Sequence, residues 1–167
     1  MHDSSRTAYL CLESDSGDRA AGLLRAVTAL IAGDLRLAAS SSIYETEPAD
    51  QPRSLILIVA ATARRLEPFS LLNFCRATET RLGRQRLLEN GEHAVSIELL
   101  LLGNQVVDET REGLELVLPH PQLHLRRARL TPLAEISPHL KHPVLGETMS
   151  HLLGAVRDSS KVLIYRL

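Results

Sequence analysis

The run Tyr9-Leu10-Cys11-Leu12 is apolar without interruption, and its length predicts a short buried strand. Turn and cap residues follow in Ser14-Asp15-Ser16-Gly17-Asp18, so a helix is expected to start near Asp18. Leu23, Leu24, Val27, Leu30 and Ile31 recur at three and four residues, placing one helical face on a core, and Gly33 supplies the stop. A second strand is expected over 35–44, followed by the turn-rich stretch 47–52. The run 55–63 is apolar on both alternations and predicts a central strand covered on both faces. Pro68 opens a second helix with the stripe Leu71, Leu72, Cys75 and Leu82, ending near Gly83 before a polar loop over 84–93. Residues 94–102 predict another strand, and Gly103-Asn104 a turn into a partner strand at 105–107. Prolines 119, 121, 132, 138 and 143 divide the remainder into short pieces, with a last helix near 147–156 and an edge strand at 162–165. The order strand, helix, strand, strand, helix, strand is that of an α+β, ferredoxin-like split unit: an antiparallel sheet with helices packed on it and extra C-terminal elements.

Length and composition narrow the functional classes. At 167 residues the chain suits one domain, expected over 1–167. Its 19 basic and 20 acidic residues leave a formal charge of −1, which provides no field for nucleic acid or an anionic membrane. Cys11 and Cys75 sit within apolar runs rather than at ligand-like spacing and read as small buried hydrophobes, in keeping with a reducing cytoplasm. No apolar run reaches the roughly 20 residues of a membrane span, and the first ten residues lack the order of a signal peptide. Aromatic residues make up 3% of the chain and tryptophan is absent, so few rings are available to stack a ligand. There is no Gly-x-x-x-x-Gly-Lys loop for phosphate and no paired-cysteine zinc pattern.

Three stretches carry a family likeness. They are Ser40-Ser41-Ser42-Ile43-Tyr44-Glu45-Thr46-Glu47-Pro48 with Asp50-Gln51-Pro52, then Leu82-Gly83-Arg84-Gln85-Arg86, then Leu118-Pro119-His120-Pro121-Gln122-Leu123-His124 running on to Pro132-Leu133-Ala134-Glu135-Ile136-Ser137-Pro138. Flanked by Gly17-Asp18-Arg19 and His142-Pro143, and covering roughly residues 8–153, they resemble the 6-hydroxymethyl-7,8-dihydropterin pyrophosphokinases of folate synthesis. The resemblance implies a ferredoxin-like fold and, in active members, transfer of the terminal pyrophosphate of ATP to the hydroxymethyl group of the pterin, with magnesium and ATP as cofactors. It places Ser96 and Glu98 at the metal positions, Glu98 and Arg84 among the catalytic residues, and Glu79, His120 and Arg126 near the nucleotide.

The chain departs from the family pattern at several of these points. Where the family carries two aspartates two residues apart, this chain has Ser96 and Glu98, which still share one face of a strand. Magnesium favours charged, hard oxygens, and a serine hydroxyl does not replace a carboxylate. An aromatic residue and an asparagine that seat the pterin align with Ser54 and Ile56, and a second aromatic aligns with Ala128. The family's Arg-Trp-Gly-Pro-Arg aligns with Glu89-Asn90-Gly91-Glu92-His93, and Glu13 stands where a glycine is expected. The local basic stretch Arg126-Arg127-x-Arg129 reads as a solvated surface.

These departures lead to a pyrophosphokinase-like protein with weak or no ATP-dependent transfer, its pterin seat in doubt, ATP or another nucleotide as its ligand, and a role in binding or interaction. Two alternatives stand beside it. One is an active pyrophosphokinase or kinase with a rearranged site, in which Glu98, Asp15 and Asp18 build a new cation site. The other is a non-enzymatic interaction domain. Enzymatic activity and oligomeric state are left open by the sequence.

Overall fold

The computed structural model describes residues 7–33, 35–48, 52–63, 65, 67–88 and 95–167, with the backbone alone for residues 84–88. The loop matching the family's arginine and tryptophan positions, 89–93, lies outside these residues, as do Asp50 and Gln51.

The elements run β1 (Ala8–Ser14), α1 (Arg19–Ala32), β2 (Arg36–Ser40), β3 (Tyr44–Glu47), β4 (Ser54–Thr62), α2 (Pro68–Leu88), β5 (Val95–Leu102), β6 (Val107–Arg111), β7 (Leu114–Leu118), α3 (Arg127–Ile136), α4 (Met149–Ala155) and β8 (Lys161–Ile164). The main sheet has the order β5-β1-β4-β3-β8, β2 also pairs with β4, and the pairings are antiparallel. This is the ferredoxin-like arrangement, its second strand split into β2 and β3 and its far edge extended by β8. The split comes at Ser41, whose Oγ accepts from Ile58 N–H and donates to the Ser42 carbonyl, turning the chain between the two pieces.

Both faces of the sheet are buried, which is why β4 reads as apolar on both alternations. Leu10, Leu12, Leu57 and Val59 pack under α1 and α2, while Cys11, Ile56 and Ile58 pack with Leu130 and Leu133 of α3 and Met149 of α4. Helix α1 begins where its cap residue stands, with Asp18 accepting from Ala21 N–H at 3.1 Å, and ends at Gly33. Its buried side is Leu23, Ala26, Ala29 and Leu30, so Leu24 and Ile31, expected in the stripe, are half exposed at 52% and 49%. Residues flanking a stripe by about 100° turn away from the sheet once small alanines let the helix settle close to it.

Other expectations need correction. Helix α2 runs on to Leu88 rather than ending at Gly83, because Arg84 to Leu88 are good helix formers and Gly83 sits in mid-helix. Residues 105–107 do not return along β5. The hairpin is instead β6 with β7, turned by Glu112 and Gly113 at φ 50° and 78°. Pro132 does not break the chain: it lies inside α3, which continues to Ile136. Helix α4 and edge strand β8 stand where expected. Among the described residues no helix is long and apolar enough to cross a membrane.

Candidate active site

Strands β5, β1 and β4 are the platform of the site, and their register decides which side chains meet. Ser96, Glu13, Ile56 and Tyr44 form one cross-strand row, and Glu98, Cys11 and Ile58 the next. Since alternate residues share a face, Ser96 and Glu98 lie side by side toward α3, as their spacing requires.

Glu98 is not free on that face. Arg129, from the first turns of α3, donates through Nε and Nη2 to its two carboxylate oxygens, each at 2.9 Å. The two side chains retain 16% and 30% exposure, so the fork is largely withdrawn from water. Burial alone would weaken the charge on Arg129, but the Glu98 carboxylate more than compensates and holds the guanidinium firmly protonated. Beneath the pair, burial first and the charge of Glu98 second push the Cys11 thiol far above its ordinary range, so it is a neutral packing residue.

The pair stands between two cavities. The first, about 470 Å³, lies along the outer edge of β5 and is lined by Ser96, Glu98, Glu79, His120, Arg76 and Leu72 among others. The second, about 280 Å³, lies on the α3 side and is lined by Arg129, Arg126, Glu13, Thr46, Ile56 and Ala128 among others.

The expected residues divide between these spaces. Ser96, Glu98, Glu79 and His120 come together at the first cavity, and Arg126 belongs to the second. Arg84 lies on α2, with its side chain outside the described residues. Glu79 accepts from Ile97 N–H at 2.6 Å, pairing a backbone donor on the open edge of β5. Burial raises its carboxyl above the ordinary range, opposed by that hydrogen bond. His120 follows the cis peptide Leu118–Pro119, donates its N–H to Leu100 O and accepts Gln122 N–H at Nδ1, so the His-Pro stretch is tied to β5. Burial lowers its imidazole, with Glu98 pulling the other way. Arg126 leans on Gln122 at the rim.

Two groups escaped the sequence reading. Arg129 belongs to the basic stretch that reads as solvated surface, yet the helical phase of residues 127–136 sets it beside Leu130 and Leu133 on the buried side. Glu135, a family-motif residue, accepts from Ser42 N–H, Ser42 Oγ and Tyr44 OH, the last at 2.6 Å. Two stretches of the family signature are therefore joined directly, as scaffold rather than as reacting groups. Burial and this bond raise Tyr44 to about 12, while the three donors hold Glu135 below its usual range against the cost of burial.

Magnesium, which the resemblance implies, does not suit this donor set. Ser96 offers a neutral hydroxyl, and the carboxylate of Glu98 is already matched by a guanidinium. Among the described residues no three His, Cys, Asp or Glu side chains converge as a metal set.

An antiparallel sheet with helices packed on it and two cavities that meet at one charged pair defines an α+β protein. Comparison with known proteins names the class further. The family model described as 7,8-dihydro-6-hydroxymethylpterin-pyrophosphokinase matches residues 9–138. The 2-amino-4-hydroxy-6-hydroxymethyldihydropteridine pyrophosphokinase of Methylorubrum extorquens is 40% identical over 157 residues, covering 91% of this chain and 94% of that protein. The Bacillus subtilis protein of the same name is 35% identical over 133 residues, covering 77% of each. The folic acid synthesis protein fol1 of Pneumocystis carinii is 26% identical over 157 residues, covering 92% of this chain, which spans 20% of that longer protein. Among solved structures, Plasmodium falciparum HPPK-DHPS superposes with a TM-score of 0.74 at 14% identity, covering 89% of this chain and 44% of that one. The chain belongs to the 7,8-dihydro-6-hydroxymethylpterin pyrophosphokinase family.

Proposed function

We propose that this protein keeps the two-cavity architecture of a pyrophosphokinase, with ATP as the ligand of the cavity along β5, but carries out magnesium-dependent pyrophosphoryl transfer weakly or not at all. The observation that carries this reading is the fork between Arg129 and Glu98 at the junction of the cavities. Phosphoryl chemistry depends on positioned cations more than on covalent work by the protein. Here the second acid of the pair holds a monovalent organic cation, and the first acid is absent. A dication about 4 Å from a guanidinium would meet a repulsion on the order of 8 kcal/mol at an effective dielectric of 20, twice that of two unit charges. Moving Arg129 aside would leave Glu98 partly buried without its partner.

The test is calorimetric titration with magnesium and a nonhydrolysable ATP analogue. The expected result is that magnesium does not tighten nucleotide binding. Cooperative binding of two magnesium ions with the nucleotide would overturn the reading.

A second reading, an active pyrophosphokinase with a rearranged site, is favoured by the 40% identity to the Methylorubrum enzyme across 94% of its length. It requires Arg129 to leave Glu98 when nucleotide arrives, and cooperative binding in the same titration would support it.

A further inference from the structure

The cavity beside α3 contains a carboxylate in a place where the family pattern has a glycine. Glu13 lies on β1, next to Ile56 of β4 and Ser96 of β5 in the register. Ser54 Oγ donates to Glu13 Oε1 at 2.5 Å, and Ser54 Oγ in turn accepts from Thr46 Oγ1 at 2.9 Å. Ser54 and Thr46 are 2% and 3% exposed, so this hydroxyl relay is a buried, fixed support that holds the acid in the cavity wall. A carboxylate offers about four acceptor positions, so capacity remains toward the cavity after Ser54 is served.

The surroundings select what that acid can bind. Arg129 is committed to Glu98, which leaves two carboxylates against one guanidinium on this part of the sheet. At the rim, Arg126 lies close enough to Asp158 to help lower its carboxyl, although the hydrogen bonds from Ser160 and Arg127 do more. Ile56, Pro48 and Ala128 supply apolar walls, and about 280 Å³ is the size for one small ring system. An anionic acceptor set beside these apolar residues, in a cavity otherwise lined by polar side chains, complements a flat heterocycle that presents two parallel N–H donors, as a ring N–H and an exocyclic amine do in a 2-aminopyrimidin-4-one.

We propose that Glu13 is the specificity residue of this cavity, reading the 2-amino and ring N–H edge of a pterin-type heterocycle in place of the asparagine whose position Ile56 occupies. This rests on the proposed function, in which ATP takes the cavity along β5, and assigns the acceptor to the second cavity. It requires neither metal nor nucleotide, so the two claims fail separately.

The experiment is a metal-free, nucleotide-free titration of the whole chain with 6-hydroxymethylpterin and with 6-hydroxymethyllumazine, in which an oxygen replaces the 2-amino group. The expected result is at least tenfold tighter binding of the pterin, falling to near parity in Glu13→Gln, which keeps the acceptor for Ser54 but removes the charge. Glu13→Asp, shorter by one methylene, is expected to weaken pterin binding in the same direction and gives an independent reading should Glu13→Gln fail to fold. Binding of neither ring, equal binding of both by the native chain, or an undiminished preference for the pterin in a folded Glu13→Gln or Glu13→Asp would each overturn the proposal.

Discussion

Arg129 and Glu98 meet through two parallel hydrogen bonds across 31 residues of sequence, with one partner lining each of two cavities. The pair sits between those cavities, and the guanidinium matches the one carboxylate charge that Glu98 would offer a metal ion.

Reversing that arrangement should restore cation binding. The combined change Ser96→Asp, Glu98→Asp and Arg129→Met puts two short acids on one strand face and removes the guanidinium. Magnesium should then tighten nucleotide binding in calorimetry at least tenfold relative to the native chain. A folded triple variant with no magnesium effect would show that the pair is not what excludes the ion. Arg129→Met alone should cost about 1–3 kcal/mol in chemical denaturation, because it strands a carboxylate that is 30% exposed.

Tyr44 and Glu135 give a second test, of the scaffold rather than the chemistry. Tyr44→Phe removes one donor to Glu135 and should lower stability by about 0.5–1.5 kcal/mol. Glu135→Ala strands the Ser42 and Tyr44 donors together and should cost about 1–2 kcal/mol. The two changes should be less than additive in a double-mutant cycle, since they remove the same bond.

A pH effect is expected from His142, which is 4% exposed and accepts the N–H groups of Val144 and Leu145 at Nδ1. Burial chiefly, and the neighbouring His124, lower its imidazole from the ordinary 6.5. The unfolded chain then takes up the proton first as acid is added, so the contribution is whole above pH 6.5 and is lost as pH falls toward the lowered value. His142→Asn, whose amide oxygen replaces the Nδ1 acceptor, should flatten the acid side of the stability profile in urea melts. An unchanged slope would mean that other groups set it.

The sequence was most informative where burial imposes a period. Strand β4 is apolar at every position from Leu55 to Ala61 because both faces are covered, and α1 announces itself through Asp18 and Gly33. Motif residues gave the family, and Ser96 and Glu98 do share a face. In β6, Asp108, Glu109, Thr110 and Arg111 are polar on both sides, which leaves that strand without a hydrophobic period and hides its pairing with β7. Helix α3 was obscured by Pro132, a local breaker that packing against the sheet overrides. Without the helical phase of α3 the spacing assigns Arg129 to no face, and its partner on β5 lies 31 residues away in sequence. The Glu13, Ser54 and Thr46 relay was missed for a related reason, since it joins three strands through side chains that a single strand's alternation does not connect.

The most direct measurement is turnover of 6-hydroxymethyl-7,8-dihydropterin with ATP and magnesium, run beside the Methylorubrum extorquens enzyme under the same conditions. With Arg129 bound to Glu98, the rate should be at least a hundredfold lower than that of the relative. A rate within tenfold of it would contradict the claim that this ion pair has replaced the metal site.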